Sequence, residues 1–278
     1  MNIVIFGTKG YLSNSILFDK NKKIKIQLLS KQKLTQKKKI KKKIDLIVHT
    51  LGPNKYEFSK NPTQNLIDKI KITLKIIDFA KKNSVKKIIY ISSINIYQKN
   101  SKKLNFRNAY SKAHIETETI LKKNSSANLK IMILRISHLF GIRDTVSSKG
   151  KFLSLGNNFI KHAVEKKIFI VKKPNTSLHI LPINYLISKI FKIITFKKNF
   201  ETKNIFFLKI KIILFLKIIS YYIFKNLNYY PDIVYKSRKI NFAKDIGKIK
   251  VYKNKKINFL IDEIEKTIQF FCKNYSRK

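Results

Sequence analysis

The chain has a single cysteine, Cys272, in 278 residues, which rules out an intrachain disulfide. At this length a buried core can hold the fold without disulfides or metals, and one thiol fits a reducing, cytoplasmic compartment. No apolar run reaches the roughly 18 residues that a membrane span needs. The longest, Ile210–Phe224, is broken by Lys211 and Lys217 and is expected to be a buried helix. Met1 leads straight into the apolar Asn2–Phe6, with no basic segment and cleavage site of a signal peptide. No Cys/His cluster at metal-ligand spacing, no phosphate-binding P-loop, no G-x-S-x-G elbow and no internal repeat is present. Residues His162 and His179 pair at no metal spacing, and His49 closes an apolar strand as a structural residue.

Acidic residues and arginine are also scarce. Lys and Arg total 61 against 15 acids, a formal net charge of +46. Only five of the 61 are arginines: Arg107, Arg135, Arg143, Arg238 and Arg277. Dedicated phosphate and base readers favour the bidentate guanidinium, so a specific nucleic-acid partner is not expected. The lysines are spread along the chain together with abundant Ile and Asn, a pattern of drift toward A/T-rich codons. An anionic partner is the competing reading, and salt-sensitive sticking to polyanions follows from either.

Short apolar runs alternate with runs of helical period through the first half. Strands are expected at Ile3–Phe6, Ile24–Leu29, Leu46–Thr50, Lys87–Ile91 and Leu129–Leu134, and helices at Tyr11–Phe18, Asn65–Lys81 and Ala109–Lys122. The charge-rich Lys33–Lys43 reads as a surface bridge. This alternation implies a doubly wound parallel α/β sheet of the Rossmann type. After residue 141 it weakens. A loop at Lys149–Leu155, helices at Asn158–Glu165 and Asn184–Ile194, and a strand at Lys167–Val171 are expected. Residues 197–257 give no clear period, and Phe259–Tyr275 reads as an amphipathic helix. Two parts follow: residues 1–140 as a dinucleotide-binding domain, and residues 141–278 as a smaller lobe interleaved with it.

The first strand runs into Gly7-Thr8-Lys9-Gly10-Tyr11-Leu12-Ser13, which opens the first helix. A pyrophosphate needs close backbone approach, and glycines between a strand and a helix permit it. The spacing G-x-x-G-x-x-S resembles the fingerprint of the extended short-chain dehydrogenase/reductase family, also called the NAD-dependent epimerase/dehydratase family. There a third glycine stands where this chain has Ser13, a small residue that still permits close helix–strand packing. Further segments resemble the family in order: Asp45–Gly52, Ser92-Ser93-Ile94-Asn95-Ile96-Tyr97, Arg135–Gly141 and His179–Asn184, the last with Pro182 in place of an acid.

The resemblance implies NAD(P) as cofactor, with Gly7, Thr8, Lys9, Gly10, Tyr11 and Leu12 on its pyrophosphate. Thr50, Leu51 and Gly52 would line the cofactor loop, and His138 would lie beside the nicotinamide. The second strand ends in Ser30-Lys31, with no acid for a ribose 2′-hydroxyl, which favours a 2′-phosphate and NADP. Ser93 would face the substrate, and Arg143 would hold its diphosphate.

The family helix reads Tyr-x-x-Ser-Lys-x-x-x-Glu, its Tyr exchanging the proton and its Lys holding the ribose. Two registers are open. One matches Ser111, Lys112 and Glu116 and puts Asn108 at the Tyr position. The other makes Tyr110 the phenol and puts His114 at the Lys position. The first keeps three matches and is preferred, with Tyr110 about 200° round the helix from Lys112. A family Asn on the preceding helix aligns with Lys69. Ser93, Tyr110 and Lys112 are therefore the candidate catalytic residues. The implied function is an NAD(P)-dependent epimerase, dehydratase or reductase on a nucleotide-activated sugar, with a homodimer by analogy. The alternative is a catalytically degenerate dinucleotide-binding sensor or scaffold.

Overall fold

A computed structural model describes residues 1–8, 10–17, 24–35, 40, 42–97, 103–142, 154–235, 238–240 and 254–275. Its first unit comprises Met1–Ser137 and Lys189–Ile205. The apolar run Asn2–Phe6 is β1, flanked in parallel by β2 (Lys25–Leu29) and β3 (Leu46–His49). Strands β4 (Lys87–Ser93), β5 (Lys130–Ile136) and β9 (Phe200–Ile205) continue the sheet, all parallel, in the order β2-β1-β3-β4-β5-β9. This is the doubly wound α/β arrangement expected. Successive connections leave β1 in opposite directions, so the switch point falls between β1 and β3, where ligands bind at strand carboxyl ends in such sheets.

Helices α1 (Tyr11–Leu17), α2 (Lys55–Lys60), α3 (Pro62–Lys82) and α4 (Ala109–Lys123) join these strands. Pro62 opens α3 at its first position, where a missing N–H costs nothing. Ile72, Ile76, Ile77, Phe79 and Ala80 on α3 share a core with Val4, Phe6, Ile47, Ile88, Tyr90, Ile131 and Ile133. The helix expected at Asn65–Lys81 is thus real and longer. Helix α2 lies in a stretch where no helix was expected, fixed by a reciprocal cap: Asn54 accepts from the Tyr56 and Glu57 amides, and Glu57 accepts from the Asn54 amide.

The second unit comprises His138–Ser188 and Phe206–Lys278. One three-stranded sheet runs β10 (Leu208–Lys211), β8 (Ser177–Pro182), β6 (His138–Phe140). The other runs β12 (Arg238–Ile240), β11 (Asp232–Tyr235), β7 (Ile168–Ile170). Helices α5 (Leu155–Lys166), α6 (Ile183–Ile193), α7 (Ile212–Leu227) and α8 (Lys255–Tyr275) complete the chain. The apolar stretch expected as one buried helix from Ile210 divides, with β10 ending at Lys211 and α7 following. Helix α7 packs Phe215, Leu216, Ile219 and Ile223 into a core with Phe159, Phe169, Leu260 and Phe271. Among the described residues no helix is long and apolar enough to cross a membrane.

Candidate active site

Three loops converge at the carboxyl ends of β1, β3 and β4. In the first, Gly7 has φ +129°, and a Cβ there would come within 2.9 Å of Thr50 Oγ1. Only glycine meets both conditions without strain. Thr50 donates to the Phe6 carbonyl at 2.7 Å, so the β3 loop is fastened to the glycine turn. Ser13 is fully buried, and its hydroxyl faces the carbonyls of Gly7 and Gly10 as donor. The residue in place of a third glycine therefore braces the turn from beneath. Thr8 and Gly10 remain exposed above it. This cradle, which a side chain at residue 7 would fill, fits the phosphates of a dinucleotide. Ser30 is half-buried and Lys31 is exposed at the end of β2, while Lys9 and Arg143 lie outside the described residues.

At the end of β4, Ser93 is buried and its hydroxyl accepts from the Asn95 amide at 3.1 Å. Asn108 caps α4, its side-chain oxygen accepting from the Ser111 amide at 3.2 Å. Ser111 donates to the Asn95 carbonyl at 2.7 Å and ties α4 to the turn after β4. Tyr110 packs edge-on against Phe58 (5.6 Å between centroids) and His114 (4.6 Å). Burial pushes its phenol above the ordinary value.

The burial pattern of α4 bears on the choice of register. Asn108 is outside the helix as its cap, its side chain engaged with the Ser111 amide. Lys112 is exposed and shares the outward face of α4 with Thr119, while Ala113, His114, Thr117 and Glu118 face inward. Tyr110, expected to point away, packs against Phe58 and His114 on the inward side of α4, while Lys112 is exposed. The spacing count overlooked Glu118, which stands four residues after His114 and takes the Glu position of the second register. Glu118 accepts from Ser92 at 2.6 Å and pairs with Arg135 Nη2 at 2.6 Å. Arg135 also reaches the Tyr97 hydroxyl.

Behind Tyr110 lies a polar group that the sequence reading did not assemble. Tyr90 and His114 Nδ1 are 2.6 Å apart. His49 is fully buried, with Nε2 at 3.4 Å from Thr73 Oγ1. Lys69, 3% exposed, is the one buried lysine among the described residues. Its ammonium lies 5.4 Å from the Tyr90 ring centroid and beside Gly52, where φ is +145° and a Cβ would come within 2.9 Å of Nζ. Burial lowers Lys69 to about 8. Burial, and then the Lys69 charge, hold both His49 and His114 well below the ordinary imidazole value. Burial and the Glu118 charge raise Tyr90 well above the ordinary phenol value. His138 opens β6 of the second unit, partly buried.

No curated protein matches the sequence. Among solved structures, the UDP-N-acetylglucosamine 4-epimerase of Methanobrevibacter ruminantium, in complex with UDP-N-acetylmuramic acid, superposes with TM-score 0.74 at 17% identity over 98% of both chains. UDP-glucose 4-epimerase of Bifidobacterium longum, in complex with NAD+ and UDP, gives 0.74 at 15% identity over 99% of both. RMD of Pseudomonas aeruginosa, complexed with NADPH, gives 0.71 at 13% over 99% of both. At such identities the likeness establishes the fold. The model of the NAD-dependent epimerase/dehydratase family matches residues 2–176, well over half of the sequence. The chain belongs to the NAD-dependent epimerase/dehydratase family.

Proposed function

We propose that the protein is an NAD(P)-dependent epimerase, dehydratase or reductase acting on a nucleotide-activated sugar, with Tyr110 as its acid/base. The observation that carries this reading is Tyr110 on the inward face of α4, its ring packed edge-on against Phe58 and His114, with the buried Ser93 closing β4. The glycine turn from Gly7 to Leu12 would hold the pyrophosphate, and Thr50, Leu51 and Gly52 would line the adjacent ribose. A bound nicotinamide supplies a hydride acceptor and donor. Tyr110 would then exchange the sugar hydroxyl proton, with Ser93 holding the same oxygen in line. Phe58 and His114 fix the phenol ring from two sides. Exposed Lys31, with no acid at the end of β2, supports NADP over NAD. The nucleotide sugars for which two superposed epimerases are named support that substrate class.

The reading is tested with purified protein, NAD+ or NADP+, and a set of UDP-, GDP- and dTDP-sugars. Turnover without net reductant identifies an epimerase or dehydratase, and net NAD(P)H consumption a reductase. Cofactor binding with no turnover on any sugar would instead favour the sensor or scaffold.

A further inference from the structure

Basic side chains number 61, and every described lysine other than Lys69 is at least partly exposed to water. Lys69 is buried, and no carboxylate among the described residues forms an ion pair with it. Burying an ammonium is costly unless something offsets it. The Tyr90 ring face at 5.4 Å offsets part. The remainder calls for a polar or anionic group on the side toward Gly52, where the absent Cβ leaves Nζ against the loop after β3. That loop starts at Thr50, which is tied to the glycine turn.

Helix α4 supplies the complementary observation. His114 stands four residues after Tyr110, where the family helix carries its lysine, and it is neutral and bonded to Tyr90. An imidazole in that state brings no charge to the ligand. The nearest candidate on α4, Lys112, points to solvent.

We infer that Lys69 supplies from α3 the ammonium that a Tyr-x-x-x-Lys helix would supply from α4, and that it holds the ribose hydroxyls of the dinucleotide through the gap at Gly52. The assignment rests on the dinucleotide-site reading above. It also accounts for two substitutions together: a lysine on α3 and a histidine on α4 exchange the position of one charge.

A pH dependence follows. Around Lys69 are His49 on β3, Tyr90 on β4 and His114 on α4, with Tyr110 packed on His114 and Glu118 one turn further along α4. The imidazoles are held below their ordinary range and the phenols above theirs. Glu118 is paired with Arg135. Lys55, Glu57 and Lys60 of α2 are exposed. Lys69, at about 8, is thus the group of this cluster that changes charge between pH 7 and 9.5.

The test is NADH and NADPH binding, followed by fluorescence at constant salt, for wild type, Lys69→Met and Lys112→Met. Wild type should lose affinity roughly tenfold or more as pH rises from 7 to 9.5, the scale of a charge-assisted hydrogen bond. Lys69→Met should bind at least tenfold more weakly at pH 7, with a flat profile, and Lys112→Met should match wild type. If wild type binds but its profile is flat, or Lys69→Met binds as tightly, the role of Lys69 is refuted and the dinucleotide site stands. If wild type binds neither nucleotide, the site reading falls and the inference with it.

Discussion

Tyr110 stands edge-on to His114, ring centroids 4.6 Å apart with 66° between planes. The spacing of four residues puts both on the inward face of α4 and leaves Lys112 outside. Removing the phenolic oxygen should therefore remove proton exchange and little else. Tyr110→Phe is expected to lower kcat by ~10²–10⁴, with NADH affinity unchanged by fluorescence titration. Normal turnover would show that another group moves the proton.

Asn108 should behave as a cap. Asn108→Ala is expected to cost ~1 kcal/mol of stability, measured by urea denaturation, with turnover unchanged. A collapse of kcat at unchanged stability would return Asn108 to the chemistry.

Gly7→Ala forces a Cβ to within 2.9 Å of Thr50 Oγ1 at a φ of +129°. Strain of ~1–3 kcal/mol is expected, with loss of saturable cofactor binding. Binding at wild-type strength would mean that the turn does not cradle the phosphates.

Lys69 also makes a stability prediction with a definite sign. Its folded value is lowered from 10.5 to about 8, so the unfolded chain binds the proton more tightly. The cost is fully present below pH 8 and is relieved as pH rises toward 10.5. Lys69→Met should be more stable than wild type by roughly 3 kcal/mol at pH 7, with the advantage gone near pH 10.5. Paired denaturation curves at the two pH values decide this, and equal stabilities at pH 7 would contradict it.

Much of the fold could be read from the chain because β1, β3 and β4 are apolar runs bounded by glycine and serine. The parallel order follows from helices lying between them. The second half resisted because its strands are short, β9 (Phe200–Ile205) mostly polar and β10 (Leu208–Lys211) half lysine. Lysine abundance masks the alternation that marks strands. The glycine turn and Ser93 were legible as local motifs. Two registers of α4 were open because Ser111 and Lys112 imitate the family pair, although Ser111 donates to the Asn95 carbonyl and Lys112 is exposed. Counting Glu118 would have tipped the balance. The one pointer to Lys69 was its alignment with a family Asn on α3, since one lysine among so many is not distinguished by type.

The central claim is a dinucleotide site built on Gly7, Ser13 and Thr50, with Tyr110 beside it. The most direct measurement is a fluorescence titration of wild-type protein with NADH and NADPH at ~150 mM salt, where bulk electrostatics are screened. Saturable binding, stronger for NADPH if Lys31 meets a 2′-phosphate, is the predicted result. No saturable binding of either nucleotide would contradict the account.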